Sequence, residues 1–146
     1  MQKVTPFLWF NGGVEEAAKL YASVFDNTKI LSSNPMSATV DIDGQVLILF
    51  NGGPHYKQTP AFSLSVNCET QQEIDEKWDA LIADGGEPSR CGWLVDKFGV
   101  SWQIVPAILG SLLGSADRQK ADRAMQAMLK MEKMDIAALQ AAYDGK

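Results

Sequence analysis

The sequence predicts an α+β protein of two strand–helix–strands modules in tandem, followed by a helical tail. Three observations carry this. A strand, an amphipathic helix and further strands occur over residues 5–50, and the same pattern begins again at Ala61. Gly44 and Gly99 open matching final strands 55 residues apart, and the same spacing lays Pro6 on Ala61 and Phe7 on Phe62. Between the copies, Asn51-Gly-Gly-Pro-His-Tyr-Lys-Gln-Thr-Pro60 carries the glycines and prolines that stop regular structure. The expected division is a first module over 1–51, a linker over 52–60, a second module over 61–106 and a helical extension over 107–146.

In the first module, Thr5 to Phe10 is an aromatic run of strand propensity, ended by Asn11-Gly-Gly13. Val14, Ala17, Ala18, Tyr21 and Phe25 recur at helical spacing, and Glu15 and Glu16 suit a helix N-terminus. Thr28 to Ser33 reads as a second strand. Ala38 to Asp43, Gly44 and Gln45 to Phe50 read as a hairpin whose second arm, almost continuously apolar, is expected to be buried on both faces.

In the second module, Ala61 to Asn67 reads as a strand, and Thr70 with Glu73 as a capping box. Ile74, Trp78, Leu81 and Ile82 give that helix its apolar stripe, and Gly85-Gly86 close it. Ser89 to Cys91 is read as a short strand. Leu94 and Val95 lead into the turn Asp96-Lys-Phe-Gly99, and Val100 to Val105 return as a strand stopped by Pro106. In the tail, Ala107 to Leu113 allows a turn or two of helix. Ala121, Ala124, Met125, Met128 and Leu129 form an amphipathic stripe, and Asp135 caps a last helix with Ile136, Leu139 and Tyr143 inward.

A chain of 146 residues can build a real core, and 46% hydrophobic with 21% charged residues describes an ordinary globular protein. The net charge of −5 and the lack of a basic patch argue against a nucleic acid partner. No apolar run is long enough to span a bilayer, and the start is not a signal peptide. Cys68 and Cys91 match no zinc or redox spacing and fit a reducing, cytoplasmic setting.

Strand alternation divides the side chains into two faces. One set, Phe7, Trp9, Leu47, Leu49, Phe62, Leu64, Val66, Trp102 and Ile104, is large and apolar, as a face beneath helices requires. Burying each such side chain stabilises by roughly 1.5–3 kcal/mol before entropy is subtracted. The other set is Pro6, Leu8, Phe10, Val46, Ile48, Phe50, Ala61, Ser63, Ser65, Ser101, Gln103 and Val105. Its mixture of small, hydroxyl, amide and aromatic groups suits a partly wet cavity, the alternative being plain solvation of the polar members. The candidate ligand contacts are Phe10, Ile48, Phe50, His55, Ser63, Trp93, Ser101 and Gln103.

The hairpin Cys91-Gly-Trp-Leu-Val-Asp-Lys-Phe-Gly-Val-Ser-Trp-Gln-Ile-Val-Pro106 resembles the closing hairpin of the vicinal oxygen chelate (glyoxalase/bleomycin-resistance) superfamily. In particular it resembles the PhnB-like branch labelled 3-demethylubiquinone-9 3-methyltransferase. The resemblance covers residues 3–106 and implies βαβββ modules paired around a half-open mixed barrel. It also implies ligands, in metal-dependent members, from the first and last strand of each module. The matching positions here read Pro6, Ile48, Ala61 and Gln103, of which only Gln103 has a donor atom, so no metal and no other cofactor is expected. A Rossmann-type methyltransferase needs a Gly-rich turn between strand and helix, for which Asn11-Gly-Gly13 is a weak match.

His55, the only histidine, is read either as an acid or base at the cavity mouth or as a surface linker residue. Cys91 beside Arg90 is read as a reactive thiol or a buried structural one, and Trp93 as a stacking platform or a filler between modules. Three functions follow as expectations. The first is a metal-free small-molecule binding protein. The second is an enzyme acting on a small aromatic or quinone-like compound, with Gln103 orienting it and His55 or Cys91 reacting. The third is an assembly role for the tail, whose apolar stripes are expected to pack across the two-fold axis of a homodimer.

Overall fold

The computed structural model describes residues 2–146, which form two compact units, one ending at Phe62 and the other running over Ser63–Lys146. The first holds β1 (Phe7–Phe10), α1 (Val14–Val24), β2 (Thr28–Ser33), β3 (Ser37–Ile42) and β4 (Gln45–Asn51). Its sheet has the order β1-β4-β3-β2, with β1 parallel to β4 and the other pairs antiparallel. Helix α1 packs on β2, β3 and β4 through the stripe Val14, Ala17, Ala18 and Tyr21. At the far end of α1 the chain turns through Asn27, whose left-handed backbone is answered by a second left-handed residue, Asp43. The two clip together: Asp43 N donates to Asn27 O at 3.1 Å, and Asn27 Nδ2 to Asp43 Oδ1 at 3.1 Å.

The second unit repeats this plan with β5 (Ser63–Cys68), α2 (Gln71–Ile82), β6 (Glu87–Pro88), β7 (Trp93–Val95) and β8 (Ser101–Pro106). The order β5-β8-β7-β6, with β5 parallel to β8, is that of the first sheet. Thr70 Oγ1 caps α2 by accepting from Glu73 N at 3.1 Å, while the Glu73 carboxylate reaches back to Glu69 N at 2.8 Å. Asp96, 2% exposed, builds the closing turn: Oδ1 accepts from Phe98 N and Val100 N, and Oδ2 from Trp102 Nε1 at 2.9 Å. One buried carboxylate therefore fixes both the turn and the indole beneath it.

The strand expected at Ser89–Cys91 is instead Glu87–Pro88, and Cys91 sits in a turn at φ 57°. The reason lies in the tail. Cys91 N donates to Met131 O at 2.8 Å and Gly92 N to Glu132 O at 2.7 Å, so these amides serve the C-terminal chain. Gly92 is at φ 84°, and a Cβ there would meet Ile104 O and the Met134 side chain, so only glycine suits this approach.

The tail folds as α3 (Leu109–Leu113), α4 (Arg118–Met128) and α5 (Ile136–Asp144). Ala121, Ala124 and Leu139 of its stripes are buried within its own unit, and Met128, Ile136 and Tyr143 are half-buried there, so this part of the tail needs no second copy. Leu109, Leu112, Ala124, Met134 and Leu139 form a core against which Cys91, Val105 and Tyr143 pack. Gln71 ties the tail to α2 with both ends of its amide, donating to Met134 O at 3.0 Å and accepting from Ile136 N at 2.8 Å. Lys133 pairs with Asp75 at 2.9 Å, which holds the Asp75 carboxyl below its usual value and lifts that of the lysine. Met125 and Leu129, also read as part of the stripe, remain exposed.

The pairing register corrects the strand faces. Phe7 stands opposite Ile48, and Ser65 opposite Gln103. The glycine alignment equates Ile48 with Gln103, so Phe7 corresponds to Ser65 and not to Phe62, three residues earlier. An odd slip exchanges the two faces of a strand. Leu8 and Phe10, each 2% exposed, therefore join Leu47 and Leu49 on the helix-covered face, while Phe7 and Trp9 lie on the open one. Phe10 is thus misplaced as a cavity residue, and Phe62, 43% exposed, is not a core residue. Pro6 and Ala61 precede the strands altogether. Strand β4 is buried on one face only, with Ile48 and Phe50 half-buried on the other.

Candidate functional site: two open sheet faces

Each sheet has one face under its helix and one without. On the open face of the first, Phe7, Trp9, Ile48 and Phe50 lie on neighbouring parallel strands. The Phe7 and Phe50 rings are 5.3 Å apart, and Trp9 meets Phe50 edge-on at 5.4 Å. The chain beyond β4 then crosses this face rather than leaving as a free linker. Trp9 Nε1 donates to Gly53 O at 2.9 Å, Gln58 Nε2 donates to Trp9 O at 2.9 Å, and Tyr56 stands edge-on to the indole at 4.9 Å. A Cβ on Gly52 would run into the Trp9 ring, which explains the glycine at that point. His55 lies exposed beside Tyr56 on this strap. The result is an aromatic surface whose outer members, Phe7 at 59% and Tyr56 at 68% exposure, face outward.

The open face of the second sheet is polar. Ser63 stands opposite Ser101, and Ser65 opposite Gln103, on parallel strands; Trp93 lies opposite Gln103, and Val95 opposite Ser101, on the other side. Gln103 Nε2 donates to Ser63 Oγ at 2.9 Å, which fixes the amide. Ser101 is 2% exposed, and its Oγ has no hydrogen-bond partner among the described residues. Of the sequence-derived candidates, the structure places Ile48 and Phe50 together on one face and Ser63, Trp93, Ser101 and Gln103 together on the other. Phe7, Trp9 and Tyr56 were missed, although the paired glycines Gly52-Gly53 signal a backbone that passes close to something large.

The donor set can be tested against the superfamily's metal. The open faces of β1, β4, β5 and β8 carry Phe7, Trp9, Val46, Ile48, Phe50, Ser63, Ser65, Asn67, Ser101, Gln103 and Val105. None is a carboxylate, imidazole or thiol, so these residues do not fit a divalent cation. Among the described residues no group of three His, Cys, Asp or Glu side chains is placed to hold one. The two cysteines are free. Burial, helped by the Glu73 carboxylate, pushes the Cys68 thiol up to about 11, which suppresses its thiolate at neutral pH. The Asn11-Gly-Gly13 turn is committed locally, since Gly12 N donates to Asn51 Oδ1 at 2.9 Å.

Two helix-backed sheets of identical topology, each leaving one face open, define a tandem-module protein of the glyoxalase-like class. Over residues 2–105 the chain matches the model of the family described as 3-demethylubiquinone-9 3-methyltransferase. The chain belongs to that family. A Bacillus cereus PhnB protein of the same description is 36% identical, with a TM-score of 0.65, over 73% of this chain and 100% of that one. A Pseudomonas aeruginosa protein, 21% identical at a TM-score of 0.58, covers 73% of this chain and 98% of its own. A glyoxalase-related enzyme from Fulvimarina pelagi, 18% identical at a TM-score of 0.52, covers 72% and 88%. The last two share the fold. No protein of curated function matches. The family match ends before the tail, and no helix among the described residues is long and apolar enough to cross a membrane.

Proposed function

We propose that this chain binds an uncharged, partly aromatic small molecule on the open face of its second sheet, and does so without a divalent metal. The observation that carries the reading is the composition of that face. The hydroxyl and amide groups of Ser63, Ser65 and Gln103, beside Trp93, suit hydrogen bonding and stacking, and no side chain of β5, β7 or β8 on that face suits a cation. Gln103, oriented by Ser63, is the principal polar contact. Gln103→Leu is expected to weaken binding and to cost about 0.5–1.5 kcal/mol of stability, the worth of the bond to Ser63. Elemental analysis of the purified protein tests the metal-free part; about one tightly held ion per chain sinks it.

The family's description favours a second reading, an enzyme acting on a quinone-like compound. The two separate on turnover, because binding without any product supports the first and a measured product the second. His55 and Cys91 are the reactive groups that this second reading offers. A cytoplasmic setting and a homodimer complete the proposal. Exposed Phe7, Leu31 and Met36 on the first unit, with Met125 and Leu129 left outward on the tail, support the dimer.

A further inference from the structure

The tail lies beyond the family match and carries a groove of its own. The groove opens to solvent between α4 and the end of α5 and holds about 460 Å³. That volume lies within the range of small-molecule sites, about 300–1,000 Å³. Ala127 and Ala142 line it with small side chains, which leaves the space free. Three cations, Arg123, Lys130 and Lys146, border it against one carboxylate, Asp122, in a chain whose net charge is −5. Among the described residues none of the three forms an ion pair with a carboxylate. Lys130 and Lys146 are exposed, whereas Arg123 is half-buried and fixed in place. Its Nε donates to Ala142 O at 3.0 Å and its Nη2 to Tyr143 O at 2.8 Å. These bonds hold the guanidinium at the end of α5 without neutralising it, because a carbonyl has no net charge, and Nη1 keeps two further protons to donate. A Cβ on Gly145, at φ 77°, would lie 3.4 Å from Nη2, so glycine leaves that side of the guanidinium uncovered.

We infer that this groove binds a phosphate monoester group, with Arg123 as the fixed contact and Lys130 and Lys146 closing on it. A phosphate monoester carries about −1.5 to −2 charges at neutral pH, which matches a surplus of two positive charges in the lining. A monocarboxylate leaves one of those charges uncompensated, and a neutral molecule leaves both. The planar guanidinium suits a phosphate geometrically, and the two lysines add mobile point charges. The site is separate from the open face of the second sheet and does not depend on what binds there.

Isothermal titration at low salt with glycerol 3-phosphate, and with glycerol as the uncharged control, provides the test. The ester is expected to bind with a stoichiometry of about one per chain, and glycerol not at all. Lys130→Gln and Lys146→Gln, both at exposed positions, should each weaken binding about two- to fivefold, the worth of one exposed charge pair. Asp122→Asn should tighten it by a similar factor, and a gain of affinity cannot come from a damaged fold. Flotation with phosphatidic acid vesicles, against phosphatidylcholine alone, separates the two sources of such a group. Binding of the ester without flotation assigns the phosphate to a soluble molecule; flotation that the two lysine variants abolish assigns it to a lipid headgroup. No saturable heat together with no flotation overturns the proposal, and so does binding that is unchanged in all three variants.

Discussion

Replacing Asp96 should damage the second module more than any other single polar change. Its carboxylate accepts from Phe98 N at 2.9 Å, Val100 N at 3.0 Å and Trp102 Nε1 at 2.9 Å. Val100 and Trp102 are buried at 0% and 2% exposure, so neither donor has ready access to water. Hydrogen bonds to a charged group are worth about 1.5–3 kcal/mol, and they do not add fully within one cluster. Asp96→Ala is therefore expected to cost about 3–5 kcal/mol. Asp96→Asn keeps Oδ1 for the two backbone donors but turns an N–H₂ group toward the indole N–H. It should cost about 1–3 kcal/mol, and Trp102→Phe on that background should return part of the loss by removing the opposing donor. Urea unfolding followed by far-UV circular dichroism and by tryptophan fluorescence supplies the numbers, provided that the two transitions coincide. An Asp96→Ala protein within about 1 kcal/mol of wild type, or an Asn variant as damaged as the Ala one, refutes this account of the turn.

The tail is part of the second unit's core, so Leu139→Ala, at a position 0% exposed, should cost about 2–5 kcal/mol in the same urea assay; a loss below about 1 kcal/mol means that α5 is only loosely attached. The Cys68 thiol has its folded pKa raised from 9.0 to about 11, so its contribution is complete below pH 9 and declines as pH rises toward 11. Stability should fall by at most about 2.7 kcal/mol across that interval from this group, and Cys68→Ala should flatten the slope; an unchanged slope contradicts the assignment. In a native thiol-labelling experiment at pH 8, Cys68 should stay protected until the protein unfolds; prompt labelling at Cys68 means that it is not buried as described.

Much of the fold was legible in the sequence because its strongest signals are local. The stripe from Val14 to Tyr21, the Thr70 cap and the Gly44 and Gly99 turns each depend on a few neighbouring residues, and each is present. The faces of β1 were misread for a non-local reason. Only the pairing with β4 decides whether Phe7 or Leu8 points toward α1, and a uniformly aromatic strand offers no alternation to settle the matter. Strand β6 was misplaced similarly, since the amides of Cys91 and Gly92 are claimed by Met131 and Glu132, some forty residues away. On β8 the alternation of Ser101, Trp102, Gln103 and Ile104 is chemically sharp, and the polar face was read correctly. The aromatic face was half found: Ile48 and Phe50 came from β4, while Trp9 and Phe7 were assigned to the wrong side.

The chain's four tryptophans give the most direct test of the binding proposal. Trp9 and Trp93 lie on open faces, whereas Trp78 on α2 and Trp102 on β8 are buried at 4% and 2% exposure. In a nitrogen–proton correlation spectrum recorded with a chelator present, 2-acetonaphthone should shift the indole resonance of Trp93, with or without that of Trp9. The resonances of Trp78 and Trp102 should stay in place. Shifts confined to Trp78 and Trp102, or shifts that appear only after a divalent metal is added, contradict the proposal.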